Sequence, residues 1–404
     1  MATAPELEAR TIDDFRAEAR AWLAENFPPS LKGKDNALSA LEGPHQPSED
    51  EARWQQAMGE KGWGVPTWPA QYGGGGLSRA EARVLAEEMA RIGAWNPIGG
   101  MGVMMFGPTL LEYGSEAQKL EHIPAIAKGT VRWCQGYSEP GAGSDLASLQ
   151  TFAEDCGDHY LVNGQKTWTS GGQWADKCFA LVRTDKTKKH EGISFLLIDM
   201  TSPGVEVRPI RMISGASPFC ETFFTNVRVP KENLVGMPGQ GWTIGKRLLQ
   251  HERSSLSGGG SNAGRMFAGK PLSQLAKEYR GANDNGEIAD PDLRMRLVRH
   301  EMDQRAFMLT LRRAALEAKS NQGPSAATSI MKNVGARLTQ DRAELAVEIM
   351  GMAGLGWEGE GFSEAELTQT RTWLWGKAVS IYGGSTEIQN NVIAKRILGM
   401  LDHQ

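Results

Sequence analysis

A chain of 404 residues is long enough for two or three domains and a large core. Lysine and arginine number 44 against 48 aspartates and glutamates, a formal charge of −4, which leaves no basic excess for nucleic acid. The four cysteines are scattered without a CxxC pair and read as reduced thiols, with no metal site, and no apolar run reaches the ~18 residues of a membrane span.

The chain enters a polar helical pattern with no signal or transit segment, and residues 401–404 are not a peroxisomal address, so a cytoplasmic protein is expected. Thr11 is a candidate N-cap, with Asp13 and Asp14 in the first turn and Phe15, Ala19, Trp22 and Leu23 at helical spacing. Pro28-Pro29 stops that helix. A second helix is expected over 50–62 and a third over 78–92, where Ser78 and Glu81 form a capping box. Helical segments continue to about 128. This lobe shows no chemistry of its own, and its expected work is to wall a cleft.

The run Trp133-Cys134-Gln135-Gly136-Tyr137-Ser138-Glu139-Pro140-Gly141-Ala142-Gly143-Ser144-Asp145 has a different character. Gly141, Ala142 and Gly143 let backbone approach a ligand, and Ser138 and Ser144 add hydroxyls. Such a run is either a Pro-Gly turn or a cradle for something flat and phosphorylated. Alternation follows over 159–168, broken by Asn163-Gly164, a hairpin signal. Further short strands at 178–183, 193–198, 205–210 and 223–229 predict a small antiparallel barrel or sandwich. Trp168-Thr169-Ser170-Gly171-Gly172 places an aromatic ring beside hydroxyls at a strand end.

From Gly241 onward the period is helical: a long first helix, then helices over 291–319, 325–352 and 366–398, which read as a four-helix bundle. Gly354-Leu355-Gly356-Trp357-Glu358-Gly359 satisfies GxGxxG but follows a helix, so it lacks the strand that a dinucleotide fingerprint requires. Gly258-Gly259-Gly260 costs roughly 1 kcal/mol per glycine inside a helix. It marks either close helix packing or room for a bulky ligand.

The segments at 133–145, 163–172 and 381–389 together resemble the acyl-CoA dehydrogenase family, and the likeness runs through the whole chain in order. It implies an all-α domain over 1–130, a small antiparallel β-barrel domain over 131–238 and a four-helix bundle domain over 239–404. It implies FAD, an acyl-CoA substrate, an electron-transferring flavoprotein as acceptor, and a homo-oligomer, dimer or tetramer. By position, Trp168 would lie along the flavin, Ser170 near its N5, and Ser138 at its pyrimidine edge. Trp133, Gln135, Tyr137, Gly143, Ser144 and Thr169 would complete the ring and chain contacts. Glu348, Met352, Ser385 and Glu387 would touch flavin from the bundle, and Ser144, Arg253 and Lys395 would hold the substrate.

The sequence departs from the family at several places, among them Glu348, where members usually have Gln, and Met352, where they usually have Gly. Many members carry their catalytic glutamate where Gly383 stands. Other members keep the base on the first bundle helix, just before an arginine, and Glu252-Arg253 matches that position. Arg280 alone is left of the usual pyrophosphate-binding stretch, and Trp375 replaces an aspartate. Glu252 is therefore expected to take the α-proton, its pKa raised by burial against the acyl chain, while the Gly383 N–H serves the thioester oxygen. Rival readings are one subunit of a hetero-oligomeric, steroid-side-chain type dehydrogenase, or a flavin oxidase or monooxygenase.

Overall fold

A computed structural model describes residues 10–33, 46–257, 270–320 and 327–401; the side chains of residues 252–257, 315, 318–320 and 327–329 lie outside that description. The chain divides into two compact units, residues 1–211 with 216–252, and residues 212–215 with 253–404.

The first unit opens with helices α1 (Ile12–Asn26), α2 (Glu49–Glu60) and α3 (Arg79–Ile92). Each begins in a capping box: Thr11, Ser48 and Ser78 accept the amide three residues on, and Asp14, Glu51 and Glu81 bond back to the cap amide. That reciprocity satisfies two otherwise orphaned donors per helix. Phe15, Ala19 and Leu23 of α1 meet Trp54 and Met58 of α2 and Val84, Leu85 and Met89 of α3 in one apolar cluster. Helices α4 (Gly107–Tyr113) and α5 (Glu116–Ala127) follow.

The sheet comprises β1 (Trp133–Gly136), β2 (Phe152–Asp155), β3 (His159–Ser170), β4 (Lys177–Arg183), β5 (Ile193–Asp199), β6 (Val205–Ile210), β7 (Phe219–Pro230) and β8 (Leu234–Val235). Its order is β6-β7-β3-β2-β4-β5-β8, with β1 beside β4. Pairing is antiparallel except where β4 meets β1 and β2, which run parallel to it. The expected Asn-Gly hairpin is corrected. Asn163 and Gly164 lie inside β3, and the β2–β3 turn is at 156–158, where Gly157 has φ +91° and the Cys156 N–H donates to the His159 carbonyl at 3.0 Å. Gly164, at φ +152°, instead sits where the β3–β7 register shifts. There two steps on β3 oppose three on β7, so the extra residue lies on β7, where Asn226 has φ +52°.

One core runs from the helices into the sheet. Phe106 stacks on Phe179 at 5.3 Å, Phe179 on Phe195 at 6.1 Å, and Ile244 and Leu248 of α6 (Gly241–Ser257) are buried in the same cluster. The sheet and the helices on either side of it are thus held by shared apolar surface.

The second unit holds α7 (Leu272–Arg280), α8 (Pro291–Ser320), α9 (Ala327–Met350), α10 (Glu364–Gly376) and α11 (Thr386–Val392). Helix α7 was not expected from sequence. The single helix expected over 366–398 is broken after α10 by a 3₁₀ turn, Lys377–Ser380, and by Gly383 and Gly384 at φ +65° and +92°. Two successive left-handed glycines end a helix at little cost, and Ser385 caps the next one. Leu272, Ala276, Leu293, Leu297, Leu345 and Ile349 form this unit's core. Gly258-Gly259-Gly260 lies outside the described residues. No described helix is long and apolar enough to cross a membrane.

Candidate active site

Strand β1 delivers the small-residue motif. Its alternation sends the Trp133 ring inward, 4.1 Å from Phe106 and 5.4 Å from His122, and Tyr137 sits edge-on to Phe179 and Phe195. Both rings are buried in the core. Gln135 lies half-buried between them, and its buried Nε2 has no hydrogen-bond partner among the described residues. An orphaned donor costs about 1–3 kcal/mol, which a ligand acceptor would relieve. Glu139 and Ala142 exchange two backbone hydrogen bonds of 3.0 Å, closing a tight turn. Gly141 and Gly143 face open space, and Ser144 is exposed.

The motif is joined to the end of β3. The Thr167 N–H donates to the Ser138 carbonyl at 2.8 Å. Trp168 then adopts φ +61°, an outlier for a bulky residue, with its indole 54% exposed and edge-on to Phe219 at 6.0 Å. Strained backbone of this kind clusters at active sites and ligand clamps. Thr169 points the other way: it is fully buried and its Oγ1 accepts from the Thr222 hydroxyl at 3.1 Å, which ties its side chain into the sheet. Ser170 is half-buried at the strand end, beside Gly171 at φ +63°.

Helix α6 carries Glu252 and Arg253 at its C-terminal end, though neither side chain is among those described. The helix is anchored immediately before them. Arg247 grips Glu112 with two bonds of 2.7 Å, and His251 Nε2 lies 3.1 Å from the same carboxylate. Burial lowers the His251 pKa, against the pull of Glu112.

In the second unit, Gly383 is exposed in the loop before α11, Ser385 accepts the Ile388 N–H at 3.4 Å, and Glu387 and Lys395 are exposed. Met352 is 79% exposed. Glu348 is gripped by Arg296 through bonds of 2.6 and 2.5 Å, which hold its carboxyl below the usual range. That carboxylate is engaged within its own unit. Among the described residues no cluster of three or more His, Cys, Asp or Glu is placed to hold a metal.

Three family domains match the chain: acyl-CoA dehydrogenase N-terminal domain over residues 10–130, middle domain over 134–227 and C-terminal domain over 239–398. The chain belongs to the acyl-CoA dehydrogenase family. It is 39% identical to acyl-CoA dehydrogenase IpdE1 of Mycolicibacterium smegmatis, across 96% of this chain and 98% of that one. Among solved structures it resembles the Tcur3481-Tcur3483 steroid ACAD, at TM-score 0.76 and 30% identity over 99% of this chain and 100% of that one. It also resembles the ChsE4-ChsE5 complex of Mycobacterium tuberculosis, at TM-score 0.75 and 29% identity over 99% and 100%.

As an acyl-CoA dehydrogenase the chain is an oxidoreductase of the CH–CH group of acyl-CoA, and its cofactor is FAD. The residues present fit a flavin: the orphaned Gln135 amide, the open backbone at Gly141 and Gly143, and the exposed Trp168 ring beside Ser170. Sequence reading missed Lys166 and Glu139. The signal was parity: Tyr160, Val162 and Lys166 occupy the buried face of β3, where a lone lysine requires a partner.

Proposed function

We propose that this acyl-CoA dehydrogenase oxidises the α,β-bond of a bulky, steroid-type acyl-CoA, with Glu252 as general base. Bound FAD supplies the acceptor for the β-hydrogen, which leaves as hydride. Glu252 removes the α-proton, and the Gly383 N–H donates to the thioester oxygen as it gains enolate character. Ser138, Trp168 and Ser170 orient the ring and shield it from water. Electron-transferring flavoprotein is the proposed oxidant of the reduced enzyme.

The observation that carries this reading is Gly383. A left-handed glycine stands where many members place the catalytic carboxylate, and Glu252 precedes an arginine at the alternative position on α6. The substrate class is supported by the relatives, one of which is named a steroid ACAD. A second reading makes the chain one of two unlike subunits. It is favoured by Glu348, whose carboxylate is occupied by Arg296 where family likeness would have a flavin contact from a neighbouring subunit. The ChsE4-ChsE5 relative is itself described as a complex of two named chains.

Glu252→Gln tests the mechanism. The variant is expected to retain FAD, while bleaching of the flavin by acyl-CoA slows by about 10²–10⁴-fold, the usual worth of a general base. Bleaching at the wild-type rate would remove Glu252 from the reaction.

A further inference from the structure

We propose that Lys166 is a positioning residue for the flavin: it ties the loop carrying Ser138 to the strand carrying Trp168 and Ser170, so that both walls of the ring site are held as one body. The inference rests on the placement of those three residues proposed above.

Lys166 is fully buried. Its Nζ donates to the Tyr137 carbonyl at 3.1 Å and to Glu139 Oε1 at 2.8 Å, on either side of Ser138. The same Glu139 carboxylate accepts the Gln150 and Thr151 amides at 2.6 and 2.9 Å, so the far end of the loop is pinned as well. Burial pushes the Glu139 carboxyl up, but the ammonium and these amides outweigh it and keep it below the usual carboxylate range. Gly136 leaves room beside this pair: an added Cβ would crowd Cys178 Sγ at 2.9 Å and would meet the Lys166 stem at an ordinary contact distance of 3.5 Å.

The next residues explain why a charge is placed here. Against β7, Lys166 pairs with Thr222 and Thr169 with Cys220, so three steps on β3 oppose two on its neighbour. The bulge removes Thr167 from the ladder, and its N–H goes to the Ser138 carbonyl. It also turns Trp168 outward at φ +61°. A bulge re-aims side chains but weakens the strand locally. Lys166, at the root of the bulge, restores rigidity by crossing to the loop that the bulge faces. A buried ion pair is poor evidence for stability but a good device for fixing one arrangement.

The test compares Lys166→Met, Glu139→Gln and the Lys166→Met/Glu139→Gln double variant with wild-type holoenzyme. Lys166→Met leaves a buried carboxylate unpaired and is expected to melt early. The double variant removes both charges; in it and in Glu139→Gln the single side-chain carbonyl oxygen can accept from one of the Gln150 and Thr151 amides, which the carboxylate serves with two oxygens. Glu139→Gln leaves the buried Lys166 ammonium without its counter-charge and is also expected to melt early, whereas the double variant is expected to melt nearer wild type than either single variant. Apoprotein titration is nonetheless expected to give FAD binding about tenfold weaker in the double variant, and less weakened in Glu139→Gln, because preorganisation is lost. The visible dichroism and reduction potential of the bound flavin should shift in step. Wild-type flavin affinity, dichroism and potential in Glu139→Gln and in the double variant overturn the proposal. Trp168→Phe and Ser170→Ala separate the two readings: if they leave flavin dichroism unchanged, the ring placement itself fails, and not only the role of Lys166.

Discussion

Glu88 illustrates how much one residue holds in the helical lobe. Its side chain is only 2% exposed, yet three arginines from two helices converge on it: Arg20 and Arg91 at 2.8 Å on one oxygen, Arg16 at 2.8 Å on the other. Hydrogen bonds from Arg20 and Arg16 outweigh the cost of burial and depress its pKa to about 2 from a usual 4.5. A carboxyl whose folded pKa lies below its unfolded value adds stability that is present above the unfolded value and is lost as pH falls through the folded one. The stability that Glu88 contributes should therefore fade between pH 4.5 and about 2. Glu88→Gln is expected to cost about 1–3 kcal/mol at neutral pH, the worth of charge-assisted hydrogen bonds. Urea melts at pH 7 and pH 3 provide the check. An equal deficit for the variant at both values would show that the charge is not what α1 and α3 share.

At the scale of an element, β3 is where sequence and structure part company. Asn163-Gly164 has hairpin chemistry, and nothing local distinguishes a turn from a strand position opposite a bulge on β7, because glycine at positive φ suits both. What decides is tertiary: Gly164 faces Thr151, whose Cα would stand 2.6 Å from an added Cβ. Gly164→Ala should thus cost about 1–3 kcal/mol from crowding alone. Gly157, in the true turn, has nothing within 4 Å, so Gly157→Ala should meet only backbone strain and cost less. Denaturation of the two variants side by side tests the assignment, and the reverse ranking would contradict it. The capped helices were legible because their signals are local, as Ser78 and Glu81 show. The break at Gly383-Gly384 was printed in the sequence but overridden by the helical period on either side. Trp168 was legible as a flavin residue only through family likeness, since its φ and exposure depend on a bulge that no short window reveals.

For the whole molecule, the domain order was legible because periodicity changes from helical to alternating and back, whereas the shared core across residue 130 was not. That core depends on Phe106 meeting Phe179 and Phe195, contacts distant in sequence. An exposed apolar stripe runs along α8. Met295, Val298, Met302, Leu309 and Leu316 are between 46% and 66% exposed. Their spacing in steps of three, four, seven and seven puts them on one face, the spacing of a helix that meets another helix. A stripe of this kind left in water is unfavourable, at roughly 25 cal/mol per Å² of apolar surface. Sedimentation equilibrium is expected to give more than one chain's mass, and Met302→Asp with Leu309→Asp to reduce it to one chain without loss of helical dichroism. Wild-type chain that reaches a higher mass, with full FAD, only when co-expressed with a second family member points to unlike subunits. A monomer in both preparations, unchanged by the aspartates, would mean that the stripe on α8 is solvated surface and that the site is built from one chain alone.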